Sequence, residues 1–165
     1  MRIGSEGRVR AVLDASVLVK LVLNEPGSEA VRALVNEAVV QGARLSTIEL
    51  ALAESLNAVW KQAVLLNEIP LHEAQRAAAD LLAIYKHLYV VPCATVAERA
   101  FTIAVQEKIP IYDALYIAAA IVENAVLFTA DGQLARLAQK YARVKHVHRW
   151  GEAVGSSLDR HHSGG

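Results

Sequence analysis

Short apolar runs alternate with longer segments of helical periodicity along this chain. The short runs predict strands at residues 10–13, 88–91, 125–128 and 144–147. The longer segments predict helices at residues 26–40, 47–66, 71–87, 95–108, 112–123 and 131–141, with a short helix over 17–19. Strands that alternate with helices are typical of an α/β fold, because each helix carries the chain back between parallel strands. The sequence therefore predicts an α/β domain with a mainly parallel sheet.

Turn and capping residues indicate where several of these helices begin and end. Pro26 lies in the first turn of the helix at 26–40, and Gly42 follows its end. Ser46 or Thr47 is a candidate cap for the helix at 47–66. The helix at 112–123 is apolar on nearly every side. A helix of this kind is normally buried, so we expect it in the core.

Length and composition restrict the class of protein. The 165 residues suit one domain, which we expect at residues 1–150 with a core at about 10–148, followed by a polar, frayed tail at 151–165. The net charge of zero disfavours a protein that coats nucleic acid. The single cysteine, Cys93, excludes an internal disulfide and favours the reducing cytoplasm. The first residues make a poor signal peptide, and no uncharged apolar window is long enough to span a bilayer.

Three aspartates stand at places where the chain changes from strand to helix or opens a helix. Asp14 interrupts VLDASVLVK, Asp131 follows VLFTA, and Asp113 opens the apolar helix DALYIAAAIV. Each one alone is explained as a helix cap or a turn residue. Together they are expected at one edge of the sheet, because ligands and helix starts gather at the carboxyl ends of parallel strands. Carboxylates in one pocket repel each other, and a hard divalent cation such as Mg²⁺ relieves that repulsion.

Histidines do not offer an alternative zinc site in this pattern. His146, His148, His161 and His162 lack partners at zinc spacing, so we interpret them as surface residues.

A fourth carboxylate is expected from IELALAESLNAVWK, which offers Glu49 and Glu54. The two are five residues apart and point to different faces of a helix. Glu54 lies opposite the apolar stripe and Glu49 lies at its edge. Periodicity does not choose between them, and either one could be a solvated helix residue.

The sequence resembles the PIN-domain family, and within it the VapC-type toxins of prokaryotic toxin–antitoxin pairs. The resemblance covers residues 10–148 and rests on VLDASVLVKLVLNEPGSEA, LALAESLNAVWK and IPIYDALYIAAAIVENAVLFTADGQLARLA. It selects Glu54 over Glu49, because the family places an Asn three positions after its glutamate, and here that residue is Asn57. The other family acids match Asp14, Asp113 and Asp131. Ser16 and Thr129 match the hydroxyl residues near the first and last aspartates.

The resemblance implies a three-layer α/β/α fold and a Mg²⁺- or Mn²⁺-dependent endoribonuclease. Asp14 and Asp113 would bind the metal directly, and Glu54 and Asp131 would act through water. Ser16, Thr129 and Asn57 would support the carboxylates by hydrogen bonds. The resemblance also implies an RNA substrate, a small antitoxin partner and a homodimer or higher homo-oligomer, with no membrane.

Two groups of lysines and arginines are candidates for contacts with RNA phosphates. Lys20, Lys61 and Arg136 are near the acidic motifs in sequence. Lys140, Arg143, Lys145 and Arg149 form a basic stretch, QKYARVKHVHRW. Phosphate contacts would supply affinity that weakens with salt. The alternative is a solvated face whose cations lie near helix C-termini.

Four other functions compete with a toxin ribonuclease. A stand-alone RNA-processing PIN nuclease and a non-catalytic PIN-fold binding protein share the same motifs. A haloacid-dehalogenase-like phosphatase would use Asp14 as nucleophile, but it needs an aspartate where Ser16 stands. A receiver-like phosphotransfer domain would need an acidic pair before its phosphorylated aspartate, and none is visible.

Overall fold

The computed structural model describes residues 7–147, which fold around a five-stranded sheet with the strand order β3-β2-β1-β4-β5. The strands are β1 (Arg10–Leu13), β2 (Arg44–Ile48), β3 (Tyr89–Val91), β4 (Val126–Thr129) and β5 (Val144–His146). Every neighbouring pair in this sheet is parallel. The predicted α/β class and parallel sheet are therefore confirmed. The predicted tail at 151–165 lies outside the described residues.

Helices cover both faces of the sheet. They are α1 (Ala15–Val22), α2 (Ser28–Val40), α3 (Leu50–Trp60), α4 (Leu71–His87), α5 (Cys93–Glu107), α6 (Ile111–Val122) and α7 (Gly132–Ala138). Helix α1 packs against α2, α3 and α4, whereas α5 packs against α6. Right-handed crossovers place α1–α4 on one face and α5–α7 on the other, because the connections run in opposite directions along the sheet. The expected three-layer arrangement is confirmed.

Strand β2 is the largest difference from the sequence prediction. The helix predicted over 47–66 begins only at Leu50, and Thr47 belongs to a strand that pairs with β1 and β3. The prediction that Ser46 or Thr47 caps the helix is wrong. Thr47 instead donates its hydroxyl hydrogen to the Leu13 carbonyl, at 2.7 Å. Pairing on both sides of β2 outweighs the local helical pattern, because a buried backbone must satisfy its hydrogen bonds.

The end of the same predicted helix also differs from an ideal α-helix. After Trp60 the chain continues as a π-helical turn over Lys61–Leu65. Other element ends move by one to three residues, as is usual for element boundaries. Helix α2, for example, starts at Ser28, because Gly27 before it takes a φ of 92° that favours glycine.

The core lies between the sheet and its helices. Ala11, Val12 and Leu13 of β1 are fully buried, and every residue of α6 from 114 to 120 is buried too. The expectation that the apolar helix is buried is confirmed. No helix among residues 7–147 is long and apolar enough to cross a membrane.

The order in which the chain adds strands to the sheet reverses between β1 and β4. The chain leaves β1 toward β2 and later returns to β4 on the other side of β1. A crevice forms at such a switch point outside the carboxyl ends of the strands, because the two connections diverge. The backbone N–H of Asp14 donates to the Phe128 carbonyl at 3.2 Å, which joins the two strand ends.

Candidate active site

Asp14 is the buried centre of this crevice. It follows β1 directly and caps α1, with Oδ1 accepting from the Val17 N–H at 3.0 Å. The same oxygen accepts from the Ser16 hydroxyl at 2.5 Å, and Oδ2 accepts from the Thr129 hydroxyl. Only 3% of the residue is exposed. Three donors therefore hold the carboxylate in one orientation.

The two hydroxyls tie Asp14 to the turn after β4. Ser16 Oγ accepts from the Ala130 N–H at 2.9 Å, and Thr129 Oγ1 accepts from the Asp131 N–H at 3.0 Å. Each hydroxyl thus receives one hydrogen bond from the turn and donates one to Asp14. A shift of the turn would move the Asp14 carboxylate with it.

The pKa of Asp14 is raised to about 6, chiefly by burial and to a smaller extent by the nearby charge of Asp131. Hydrogen bonds from Ser16, Thr129 and Val17 act in the opposite direction, because they stabilise the ionised form. Burial is the larger effect. At neutral pH the ionised carboxylate is therefore costly for the fold to hold.

Asp131 lies at the start of α7, next to Asp14. Its Oδ1 accepts from the N–H groups of Gln133 and Leu134, at 2.9 and 3.1 Å, so it caps the helix as expected. The residue is exposed. Its second carboxylate oxygen is therefore open to solvent and to a ligand in the crevice.

Glu54 and Glu49 have different surroundings, which periodicity could not separate. Glu54 is half-buried on α3, and its Oε1 accepts from the Tyr116 hydroxyl at 2.8 Å. Burial raises the pKa of Glu54, and so does the charge of Asp113, while the Tyr116 hydrogen bond lowers it. Glu49 instead accepts from the Cys93 N–H at 2.7 Å, at the start of α5. Glu54, and not Glu49, is thus the glutamate that interacts with the aspartates.

Asp113 is the third residue of α6, and Pro110 occupies the capping position. Asp113 is therefore not the cap that its place in the sequence suggests, although it lies in the first turn, where a carboxylate complements the helix dipole. Burial raises the pKa of Asp113, and the charge of Asp131 raises it too.

Electrostatic repulsion, seen in the raised pKa values, links the four predicted acids in space. Asp131 acts on Asp14 and on Asp113, and Asp113 acts on Glu54. None of the four forms an ion pair with a cation in the part of the chain that the structure describes. The crevice therefore concentrates negative charge that the described side chains do not neutralise.

The donor set fits a hard cation that keeps part of its water shell. Across residues 7–147, no three His, Cys, Asp or Glu side chains converge as a preformed metal cluster. Mg²⁺ is typically bound by one or two carboxylates and several waters, so an open group of oxygen ligands suits it. Asp14 and Asp113 could bind such an ion, with Glu54 and Asp131 reaching it through water.

The predicted basic contacts fall into several environments. Lys20 is mostly buried, and its Nζ donates to Glu25 at 2.8 Å and to the Pro26 carbonyl at 3.0 Å. Lys140 pairs with Glu107 at 3.0 Å. Lys61 and Arg136 are exposed.

The remaining predicted support and basic residues lie at the surface or beyond the described range. Asn57, like Lys61, is exposed and has no hydrogen bond with another side chain among residues 7–147. Arg143 is bonded to the Asn124 carbonyl at 3.4 Å. Arg149, His148, His161 and His162 lie outside the described residues.

Tyr116 is the site residue that sequence reasoning missed. It stands in the middle of an apolar helix and reads as a core residue. The available signal is its phenol, because a buried hydroxyl needs a hydrogen-bond partner. The partner, Glu54, is 62 residues away, so no local pattern reveals the pair.

Comparisons with known proteins identify the family of the chain. The PIN domain pattern matches residues 11–140. The chain is 36% identical over 129 residues to Ribonuclease VapC3 of Pyrobaculum aerophilum, an alignment that covers 77% of this chain and 93% of that protein.

Solved structures share the fold at lower identity. The crystal structure of PAE2754 from Pyrobaculum aerophilum aligns with a TM-score of 0.60 at 24% identity, covering 87% of this chain and 90% of that one. VapBC2 from Rickettsia felis, bound to a DNA fragment from its promoter, aligns with a TM-score of 0.57 at 18% identity, covering 84% and 98%. FitAB bound to an IR36 DNA fragment aligns with a TM-score of 0.57 at 19% identity, covering 92% and 99%.

Proposed function

The chain belongs to the PIN domain family, and on that premise we propose that it is a Mg²⁺- or Mn²⁺-dependent endoribonuclease that hydrolyses RNA phosphodiester bonds. The observation that carries the proposal is the group of four acids at the switch point, without a neutralising cation among the described side chains. Its relative of 36% identity is named a ribonuclease. A fold alone does not define an activity, so the proposal depends on the site.

The four acids divide into two roles in this proposal. Asp14 and Asp113 hold the ion directly, as the family resemblance implies, and partial or full burial raises the pKa of both carboxyls. Glu54 and Asp131 orient water and hold the attacking water in line with the phosphate. When bound, the ion supplies an activated water and neutralises charge on the phosphate.

The surrounding hydrogen bonds hold the carboxylates of Asp14 and Glu54 in fixed orientations. Ser16 and Thr129 hold Asp14 on both of its oxygens, and Tyr116 holds one oxygen of Glu54. Carboxylates held in this way lose less conformational freedom when an ion or a phosphate arrives, which favours catalysis.

Removing the central carboxylate tests the activity. We expect Asp14→Asn and Asp113→Asn to lower Mg²⁺-dependent cleavage of a single-stranded RNA by about 10²- to 10³-fold, as loss of an electrostatic stabiliser usually does. The exposed Asp80 on α4 offers a matched control, and Asp80→Asn should cleave like the unmodified protein. Full cleavage by Asp14→Asn would show that the metal assignment is wrong.

The cleavage assay, together with a test for growth arrest, separates the alternatives within the family. A non-catalytic PIN-fold protein would not cleave RNA with either ion. A stand-alone processing nuclease would cleave but would not arrest growth when its production is induced. A toxin would do both, and the arrest would disappear with the four-acid site.

We further propose that the chain acts as the toxin of a toxin–antitoxin pair. Several proteins with this fold are VapBC or FitAB complexes, which supports a small antitoxin as partner. Exposed Phe101 and Val105 lie four residues apart on one face of α5, which is compatible with a homodimer. Relief of growth arrest by a co-expressed neighbouring small protein tests the pairing, and light scattering measures the oligomer.

A further inference from the structure

A second groove lies at the edge of the sheet opposite the four acids. It encloses a volume of about 660 Å³. Arg10 and Arg44 stand at the starts of β1 and β2, and Leu88 precedes β3. Because the strands are parallel, their starts and their carboxyl ends are at opposite edges. Asp14 lies four positions after Arg10, which is about 13 Å along a strand. The groove is therefore separate from the proposed nuclease site.

The charge of this groove is positive. Among residues 7–147, its lining includes Arg8, Arg10, Arg44 and His87 and contains no aspartate or glutamate. A cavity lined by cations favours a ligand that carries negative charge.

The three arginines of the groove use only some of their N–H donors in contacts with other described residues. Glu123 is the nearest counter-charge, 3.4 Å from Arg44, and its carbonyl accepts from Arg10 at 3.3 Å. Arg8 is exposed and forms no ion pair or side-chain hydrogen bond among the described residues. Among the described residues, one carboxylate thus pairs with one of the three guanidinium groups, the one on Arg44. Each guanidinium has five N–H donors, so most of these donors are available to a ligand.

The groove also has a flat, apolar side. The Arg44 guanidinium carbon lies 3.7 Å from the centroid of the Tyr89 ring, so the two planes form a stack. Tyr89 is 47% exposed. Val39 and Ile84 extend this side as an apolar wall. An arginine plane held on an aromatic ring can stack further on a nucleobase.

We propose that this groove binds a nucleotide, with the phosphate on Arg8 and Arg10 and the base against the Arg44–Tyr89 stack. Guanidinium groups bind phosphate through paired hydrogen bonds, and the stack accepts any base face. A free nucleotide and a nucleotide of an RNA strand share this chemistry. The inference stands on the groove itself and does not depend on the proposed cleavage.

Binding measured without divalent ions tests the groove. We would titrate the full chain in EDTA with a labelled single-stranded RNA hexamer by anisotropy and with uridine and adenosine monophosphates by calorimetry. The double variant Arg8→Gln/Arg44→Gln should bind about tenfold or more weakly, because it loses charge-assisted hydrogen bonds. For RNA, the slope of log affinity against log salt should fall by about 0.7 for each phosphate that the double variant no longer neutralises.

Two further variants separate recognition from general charge. Arg44→Lys keeps the charge but loses the planar stack, so affinity should fall while the salt slope stays unchanged. Arg76→Gln removes one cation from the exposed face of α4 and should leave both affinity and slope unchanged. Thermal melting of each variant confirms that it is folded.

Each outcome either supports or overturns the proposal. Loss of mononucleotide binding in the double variant supports a free-nucleotide site, and loss of RNA binding alone supports an RNA site. Equal binding by the double variant and the unmodified chain would overturn the proposal, and so would an Arg76→Gln variant that binds as weakly as the double variant. Cleavage by the four acids is tested separately, so one proposal can fail while the other stands.

Discussion

Asp14 combines two conditions that normally oppose each other in a folded protein. It is almost completely buried, and it accepts hydrogen bonds from three groups that favour its ionised form. Burial is the stronger influence, so its pKa in the fold rises from 3.8 to about 6. Asp14 thus caps helix α1, and in its ionised form it also destabilises the fold.

This cost predicts how stability depends on pH. The raised pKa of Asp14 means that the folded chain binds its proton more tightly than the unfolded chain does. Its contribution to stability is present below about pH 4 and is lost as the pH rises through about 6. A shift from 3.8 to about 6 corresponds to at most about 3 kcal/mol.

We therefore expect Asp14→Asn to be more stable than the unmodified chain at pH 8 in EDTA. The gain should be up to about 3 kcal/mol in the free energy of unfolding and should shrink as the pH falls from 6 to 4. Urea denaturation at several pH values measures it, with Asp80→Asn as the control. A difference that does not change with pH would contradict the raised pKa of Asp14.

At the scale of the elements, α3 and α6 meet through one hydrogen bond at the crevice. Tyr116 on α6 donates to Glu54 on α3 at 2.8 Å, and only 3% of Tyr116 is exposed. The bond lowers the pKa of Glu54 against the effects of burial and Asp113. Tyr116 is thus a positioning residue for Glu54 within the proposed nuclease.

Removing the hydroxyl should move the pH profile of cleavage. In Tyr116→Phe, Glu54 loses a donor, its pKa rises, and the acidic limb of the RNA-cleavage profile should shift to higher pH. We expect kcat to fall by about 10- to 100-fold, as is typical when a group that orients an active carboxylate is lost. Tyr112→Phe, on the same helix with Tyr112 exposed, is the matched control. An unshifted profile in Tyr116→Phe would assign Tyr116 to packing alone.

For the whole molecule, the proposed ion should act as a stabilising ligand. The four acids come from separated parts of the chain, so an ion that binds them holds the folded state and has no equal site in the unfolded one. At a hundred times its dissociation constant, a ligand adds about 2.7 kcal/mol, or roughly 5–10 °C in the melting temperature of a chain this size.

Melting curves with and without Mg²⁺ or Mn²⁺ measure this effect. The unmodified chain and Asp80→Asn should gain the full shift, whereas Asp14→Asn should gain little. An equal shift in all three proteins would place the ion elsewhere on the molecule.

Elements that are defined by a local apolar pattern can be predicted from the sequence, whereas elements that depend on distant partners cannot. The sequence predicts helix α6 and strand β1 within a residue or two, because their apolar patterns are long or unbroken. Strand β2 is hidden in a predicted helix, because only its partners β1 and β3 make RLSTI a strand. The three aspartates are visible at element junctions, but the Tyr116–Glu54 bond is not.

Local patterns in the chain were sufficient for the α/β class, for the order of most elements and for the choice of Asp14, Asp113 and Asp131 as candidates. Those properties depend on neighbours within a few residues, where periodicity and capping act. Tertiary structure decided the extent of β2, the different surroundings of Glu49 and Glu54, and the separation of the acidic crevice from the arginine groove. These depend on contacts between residues far apart in sequence, which form only when the parallel strands bring their starts to one edge and their ends to the other.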